Sequence, residues 1–177
     1  QWSKKSMVVD RSIARRFIDS YKAFLESLLS DKEKNENNLL QRLVLGREHF
    51  IADRGLLDIY CRTHPEADSE MLDAIASLRL GRWLYLKDTS THSIFLSEDG
   101  NAAYGVLGLN DSLHVVANGE RGLVMLTGLV ELNGSWVCDG LVEVLAMIGK
   151  NMLGDLNASY QLLRSSGRFS RSPTHRL

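Results

Sequence analysis

The chain has 177 residues, 44% hydrophobic and 24% charged, with 21 Lys plus Arg against 22 Asp plus Glu and a net charge of −1. This is the composition of a globular protein of one domain or two small ones, and near-neutrality excludes a global field that would steer the chain onto nucleic acid or an acidic membrane. No apolar run approaches the ~18 residues that span a bilayer, no signal-peptide core follows Gln1, and two cysteines are too few for a disulfide framework, so a soluble, cytoplasmic protein is expected.

The first residue is Gln and not Met, which reads as a processed chain or as part of a longer one. From Asp10 to Leu29, Ile13, Phe17, Tyr21, Phe24, Leu25 and Leu28 recur at steps of three and four, predicting an amphipathic helix with Asp10 as its N-cap. Asp31 to Asn38 has no hydrophobe to offset its ordering entropy and reads as a loop or a frayed helix start. Leu39, Leu40, Leu43 and Val44 open a second helical pattern that reaches Phe50 and Ile51, either as one helix through Gly46 or as two meeting there. A short amphipathic piece around Leu56 to Tyr60 must stop by His64, because Pro65 disfavours α conformation in the residue before it. Asp68 or Ser69 then caps a helix carrying Met71, Leu72, Ile75 and Leu78.

The period changes from 3.6 to 2 at Gly81. Strands are predicted at Trp83 to Asp88, Ser93 to Leu96, Ala102 to Leu107, Leu113 to Ala117, Leu123 to Leu132 and Ser135 to Cys138. Asn133-Gly134 between the last two is a preferred two-residue hairpin turn, which sets Leu132 opposite Ser135, Glu131 opposite Trp136, Val130 opposite Val137 and Leu129 opposite Cys138. Both faces of that hairpin are apolar, so it is expected to be covered on both sides or wrapped into a barrel. Leu141, Leu145, Ile148, Met152, Leu156 and Leu163 suggest the cover: a C-terminal helix from about Gly140 to Ser165. The whole reads as α+β: an N-terminal helical region (1–80), an antiparallel sheet or small β-barrel of about six strands with a closing C-terminal helix (81–165), and a basic tail (166–177).

Residues 81–163 carry 4 basic and 9 acidic side chains, whereas 164–177 carry 4 basic and none acidic. The tail is therefore expected to dock by charge on an acidic surface of its own or a neighbouring chain.

Cys61 and His64 make half a zinc knuckle and lack the other two ligands, so no metal is expected and a partly buried thiol is the plainer reading. Arg47, Glu48, His49, Asp53 and Arg54 are the densest polar cluster of the helical half, and His49 with Asp53 is an i, i+4 pair of the type that orients a general base. Trp83 and Tyr85 share one strand face, which suits either a stacking platform or core packing. There is no phosphate loop, zinc-protease motif or serine-hydrolase elbow. The leading expectation is a non-enzymatic protein-interaction or regulatory module that binds a protein partner or its own copy, without cofactor, nucleic acid or membrane. The competing one is a small-ligand binder or enzyme with a pocket at the helix–sheet junction, where His49, Asp53, Arg54, Trp83 and Tyr85 would converge.

Overall fold

The computed structural model describes residues 7–173. They form two units, Ser12–Leu78 and a second made of residues 79 onward with the stretch up to Arg11.

In the helical unit, α1 (Arg11–Ser27) buries Ala14, Phe17, Tyr21, Phe24 and Leu25, the stripe its periodicity predicts. Phe24 is the centre of the packing: its ring meets Phe50 and Tyr60 edge-on at centroid distances of 5.1 and 5.2 Å. Such pairs contribute about 0.5–1.5 kcal/mol each beyond the area they bury. The stretch expected as a loop is a short helix, α2 (Asp31–Glu36). It buries nothing and is fixed by its ends. Ser30 Oγ accepts from the Glu33 N–H, and the Ser30 N–H donates to Glu33 Oε1 at 2.9 Å. Asn38 and Gln41 repeat the reciprocal cap at the start of α3 (Leu39–Ala52), with both hydrogen bonds at 2.9 Å. α3 runs unbroken through Gly46, which lies against the Leu25 backbone of α1 where a side chain would not fit. α4 (Gly55–Thr63) ends at His64, before Pro65, and α5 (Ser69–Ala76) is capped by Asp68, as the sequence predicts. The same Asp68 carboxylate takes two hydrogen bonds from the Arg16 guanidinium, at 2.9 and 3.1 Å, tying α1 to the start of α5.

In the sheet unit, β1 (Arg79–Asp88), β2 (Ser93–Leu96) and β3 (Ala103–Leu107) are consecutive antiparallel strands. The connection after β3 returns the chain so that β4 (Leu123–Leu132) lies against β1, giving the spatial order β4-β1-β2-β3 of a Greek key. β5 (Ser135–Cys138) turns back from β4 and pairs in parallel with β3 through Val106–Trp136 and Leu107–Val137. The hydrogen-bonded ring is thereby closed into a small five-stranded barrel.

The β4–β5 turn is the one the sequence calls for: Asn133 and Gly134 have φ of 53° and 75°, both positive as the primed two-residue turn requires, and all four cross-strand pairs match. Trp83, Tyr85, Phe95, Val106, Met125, Leu129, Trp136 and Cys138 fill the barrel interior. The outer face of β1–β3, carrying Leu84, Leu86, Ile94, Leu96 and Ala103, packs on Tyr160 and Leu163 of α7 (Lys150–Ser165).

Three expectations for this half are corrected. Leu113–Val116 is a helical turn, α6, and not a strand. Ser112 caps it through the Val115 N–H, and Leu113 with Ala117 packs into the barrel, so a local cap and tertiary burial override the β-branched run. The C-terminal helix starts later than predicted, at Lys150 with Gly149 as N-cap. Before it comes a strand, β6 (Glu143–Met147), paired with β4 through Leu123–Met147, Val124–Ala146, Met125–Val144 and Leu126–Glu143.

Two buried side chains secure the link from β5 to β6. The Leu141 N–H donates to Asp139 Oδ1 at 3.0 Å, and Thr127 Oγ1 donates to Leu141 O at 2.9 Å. That geometry breaks a helix at the point where Leu141 and Leu145 suggest one. Because β1 occupies one edge of β4 from Leu123 to Leu129, β5 and β6 follow each other along its other edge.

The third correction concerns the tail. It is held by backbone pairing and burial: β7 (Phe169–Ser170) adds in parallel to β3, and the Ala103 N–H donates to Arg168 O at 3.0 Å. Phe169 meets Tyr160 edge-on, and the guanidinium groups of Arg164 and Arg171 lie over the Phe169 ring. Arg176, the last of the tail's four basic residues, lies outside the described residues.

Candidate functional site

His49 lies in the last turn of α3, and its Nε2 is 2.7 Å from Glu33 Oε2 of α2. The carboxylate beside it is therefore Glu33. Asp53, its expected partner, has left the helix: it is the C-cap of α3, at φ −144°, and its Oδ1 accepts from the Gly55 N–H at 3.0 Å. The Ser30 N–H, and after it His49, hold the Glu33 carboxyl below the usual glutamate range. Arg54 reaches back to Leu78 O at 2.6 Å and lies over the Phe50 ring, so it braces the end of its own unit.

Cys61 is exposed and not partly buried as expected, while the His64 ring stacks on Tyr60 at 4.0 Å. No group of three or more His, Cys, Asp or Glu placed to hold a metal occurs among the described residues.

In the sheet unit both aromatic candidates point inward. Trp83 is 8% exposed and donates its indole N–H to Thr127 O at 3.0 Å. Tyr85 is fully buried and donates its phenol to Asp88 Oδ1 at 2.7 Å. Burial, and then the Asp88 carboxylate, push the Tyr85 phenol well above its ordinary pKa. Neither ring offers an open stacking face, so core packing is what the β1 aromatics do.

Asp88 is a group that sequence reasoning passed over. At the end of β1, its Oδ1 also accepts from Ser93 Oγ at 2.6 Å, and its Oδ2 faces His114 Nδ1 of α6 at 3.6 Å. Asp88 and His114, with Thr89, Asp111 and Ser112, line an open depression of about 500 Å³. A carboxylate held by two hydroxyls beside an imidazole is the outline of an acid–base pair. Here, however, the separation exceeds hydrogen-bonding distance, and the His114 side chain is 61% exposed. Such a contact contributes at most about 1 kcal/mol and does not fix the ring. No sequence signal links Asp88 with His114; only the fold of the β3–β4 connection brings them together.

The most distinctive surface feature is β6. It stands last in the strand order, paired with β4 on one side only, and all five of its residues are exposed. Four of the five are apolar; Val144 is 53% exposed, Leu145 40% and Met147 63%. Glu143 is its single charge, and Met152, early in α7, is also largely exposed. Natural edge strands are usually blunted by charge, proline, shortness or cover. β6 has a bulge at Leu145, the extra residue between the Val124–Ala146 and Met125–Val144 pairs, and one terminal acid; on either side of that irregularity its outer edge has no neighbouring strand and is flanked by hydrophobes.

Comparison with protein-family models, curated proteins and solved structures gives no match for this chain.

Proposed function

We propose that this chain is a non-enzymatic protein-interaction module that takes an extended, apolar protein strand along the open edge of β6. The carrying observation is that edge: main-chain groups without a neighbouring strand supply affinity, and the exposed Val144, Leu145 and Met147 supply the apolar contacts. Two further features support the reading. Barrels of this type that bind oligonucleotides use the face of the second and third strands, and here that face is apolar and covered by α7. The Asp88–His114 contact, at 3.6 Å with a largely exposed imidazole, is not a formed hydrogen-bonded acid–base pair. A reducing, cytoplasmic setting belongs to the same proposal, supported by two free thiols. No helix among the described residues is long and apolar enough to cross a membrane.

Selection from a display library of short peptides against the immobilised chain tests the proposal. Apolar, proline-free peptides rich in β-branched residues should be recovered, and their binding should fall when Leu145→Lys sets a charge on the edge of an otherwise folded protein. Recovery of no peptide, or binding indifferent to that substitution, overturns it.

A further inference from the structure

We infer that Lys87, Arg164 and Arg171, gathered on the Tyr160–Phe169 ring pair, form a binding site for an anion of linked phosphate groups. None of these residues belongs to β6, so the inference stands apart from the open-edge reading. Residues 156–177 hold four arginines and no acid, which leaves the C-terminal segment without a carboxylate of its own to neutralise them. The fold then concentrates part of that charge. Tyr160 and Phe169 meet edge-on at 5.8 Å. The guanidinium carbons of Arg164 and Arg171 lie 5.7 and 5.8 Å from the centre of the Phe169 ring, and Lys87 Nζ lies 5.0 Å from that of Tyr160. Three cations, from β1, α7 and the residue after β7, thus share one pair of rings.

Cations that serve the fold elsewhere in the chain meet carboxylates: Arg16 meets Asp68 and Glu70, and Arg42 meets Glu26. Among the described residues, Lys87, Arg164 and Arg171 meet none. A ring holds a cation in place and leaves its charge in full. Each guanidinium carries five N–H donors; Arg164 gives one to Tyr160 Oη at 3.4 Å, and both arginines are exposed. Their positions are set before any ligand arrives. β7 is paired to β3, and a Cβ on Gly105 of β3 would lie 3.2 Å from both Arg171 Cγ and Phe169 Cζ, so the bare backbone seats the arginine stem and the ring edge. Groups held in advance lose little freedom on binding. Guanidinium forks match phosphate oxygens in pairs, and two of them with an ammonium suit several negative charges on adjoining groups. An acidic peptide spreads its charges along an extended backbone, whereas linked phosphates set them side by side. The chain as a whole, at −1, exerts no pull on such a ligand, so attraction comes from this cluster, within the ~8 Å screening length of physiological salt.

Equilibrium dialysis of the whole chain against sodium tripolyphosphate, at low salt and at ~0.5 M salt, tests the site. The wild type should bind saturably at low salt and much more weakly at high salt. Arg164→Gln and Arg171→Gln should each weaken binding roughly tenfold, the loss of charge-assisted hydrogen bonds. Glutamine keeps the Cγ that rests on Gly105, and thermal unfolding of each variant establishes that it folds. Arg15→Gln removes the same charge from an exposed position of α1 and should leave binding unchanged. Vesicles of anionic phospholipid and a single-stranded oligonucleotide, matched in phosphate, separate the sources: tripolyphosphate should displace the chain from either one that captures it. No saturable binding of tripolyphosphate at low salt, binding indifferent to both tail substitutions, or an equal loss in Arg15→Gln overturns the inference. Capture by vesicles or oligonucleotide that tripolyphosphate does not displace overturns it as well.

Discussion

Gly46 offers a test in which two physical effects oppose each other. It lies in the interior of α3, where replacing Gly by Ala would gain about 1 kcal/mol from helix propensity alone. A Cβ on Gly46 would overlap the Leu25 carbonyl oxygen and lie 2.9 Å from its carbonyl carbon and 3.0 Å from its Cβ. These atoms belong to a fully buried residue of α1, so no side-chain rotation relieves the overlap. The two helices must separate, loosening the Phe24 contact with Phe50. Overpacking of this kind costs about 1–3 kcal/mol, with the upper part of the range expected where backbone must move. Gly46→Ala should therefore destabilise by about 1–2 kcal/mol despite its better propensity. Urea denaturation followed by far-ultraviolet circular dichroism measures it as a lower midpoint at unchanged slope. A variant as stable as the wild type, or more so, would refute the close approach of α1 and α3.

Gly134→Val should cost about 1–3 kcal/mol in thermal or chemical denaturation, because φ is +75° and no atom lies within 4 Å of the added Cβ, leaving backbone conformation as the whole penalty. Limited proteolysis after Arg168 and Arg171 should proceed equally at low and high salt, since backbone pairing and Phe169 hold β7, and should accelerate in Phe169→Ala; salt-dependent cleavage of the wild type would restore the electrostatic account of the tail. The Arg16 guanidinium holds the Asp68 carboxyl below its usual range, so its contribution to stability is complete above about pH 4, the ordinary aspartate value, and is lost as pH falls through the lowered folded value. Asp68→Asn should thus be less stable than the wild type at neutral pH, by a margin that shrinks on acidification, and a margin independent of pH would contradict the ion pair.

Local signals made most of this fold legible. The stripe of α1, the stop before Pro65, the Asp68 cap and the register of the Asn133-Gly134 hairpin each depend on residues within a few positions of one another, and each appears in the structure as predicted. What was missed depends on distant partners or on caps without burial. Leu141, Leu145 and Ile148 are spaced as a helical stripe, while the unbroken apolar run Val144 to Ile148 suits a strand as well, and Thr127 on β4, with Asp139, decides between them. α2 has no hydrophobe to announce it, although Ser30 and Glu33 already spell the reciprocal cap. The site was less legible than the fold. His49 finds Glu33 and not Asp53 because α3 ends one residue short of the expected pair, and an open edge such as that of β6 becomes visible only when the strand order is known.

Amide hydrogen exchange along Glu143 to Met147 is the most direct measure of whether β6 is an open edge that takes a strand. In the wild-type protein, the amides of Glu143 to Met147 directed away from β4 should exchange quickly while those bonded to β4 are protected. Adding an apolar, β-branched peptide recovered from the display selection should slow the outward set in the wild type and leave it fast in Leu145→Lys. Outward amides that are already protected without peptide, or that exchange alike with and without it in both proteins, would contradict the account.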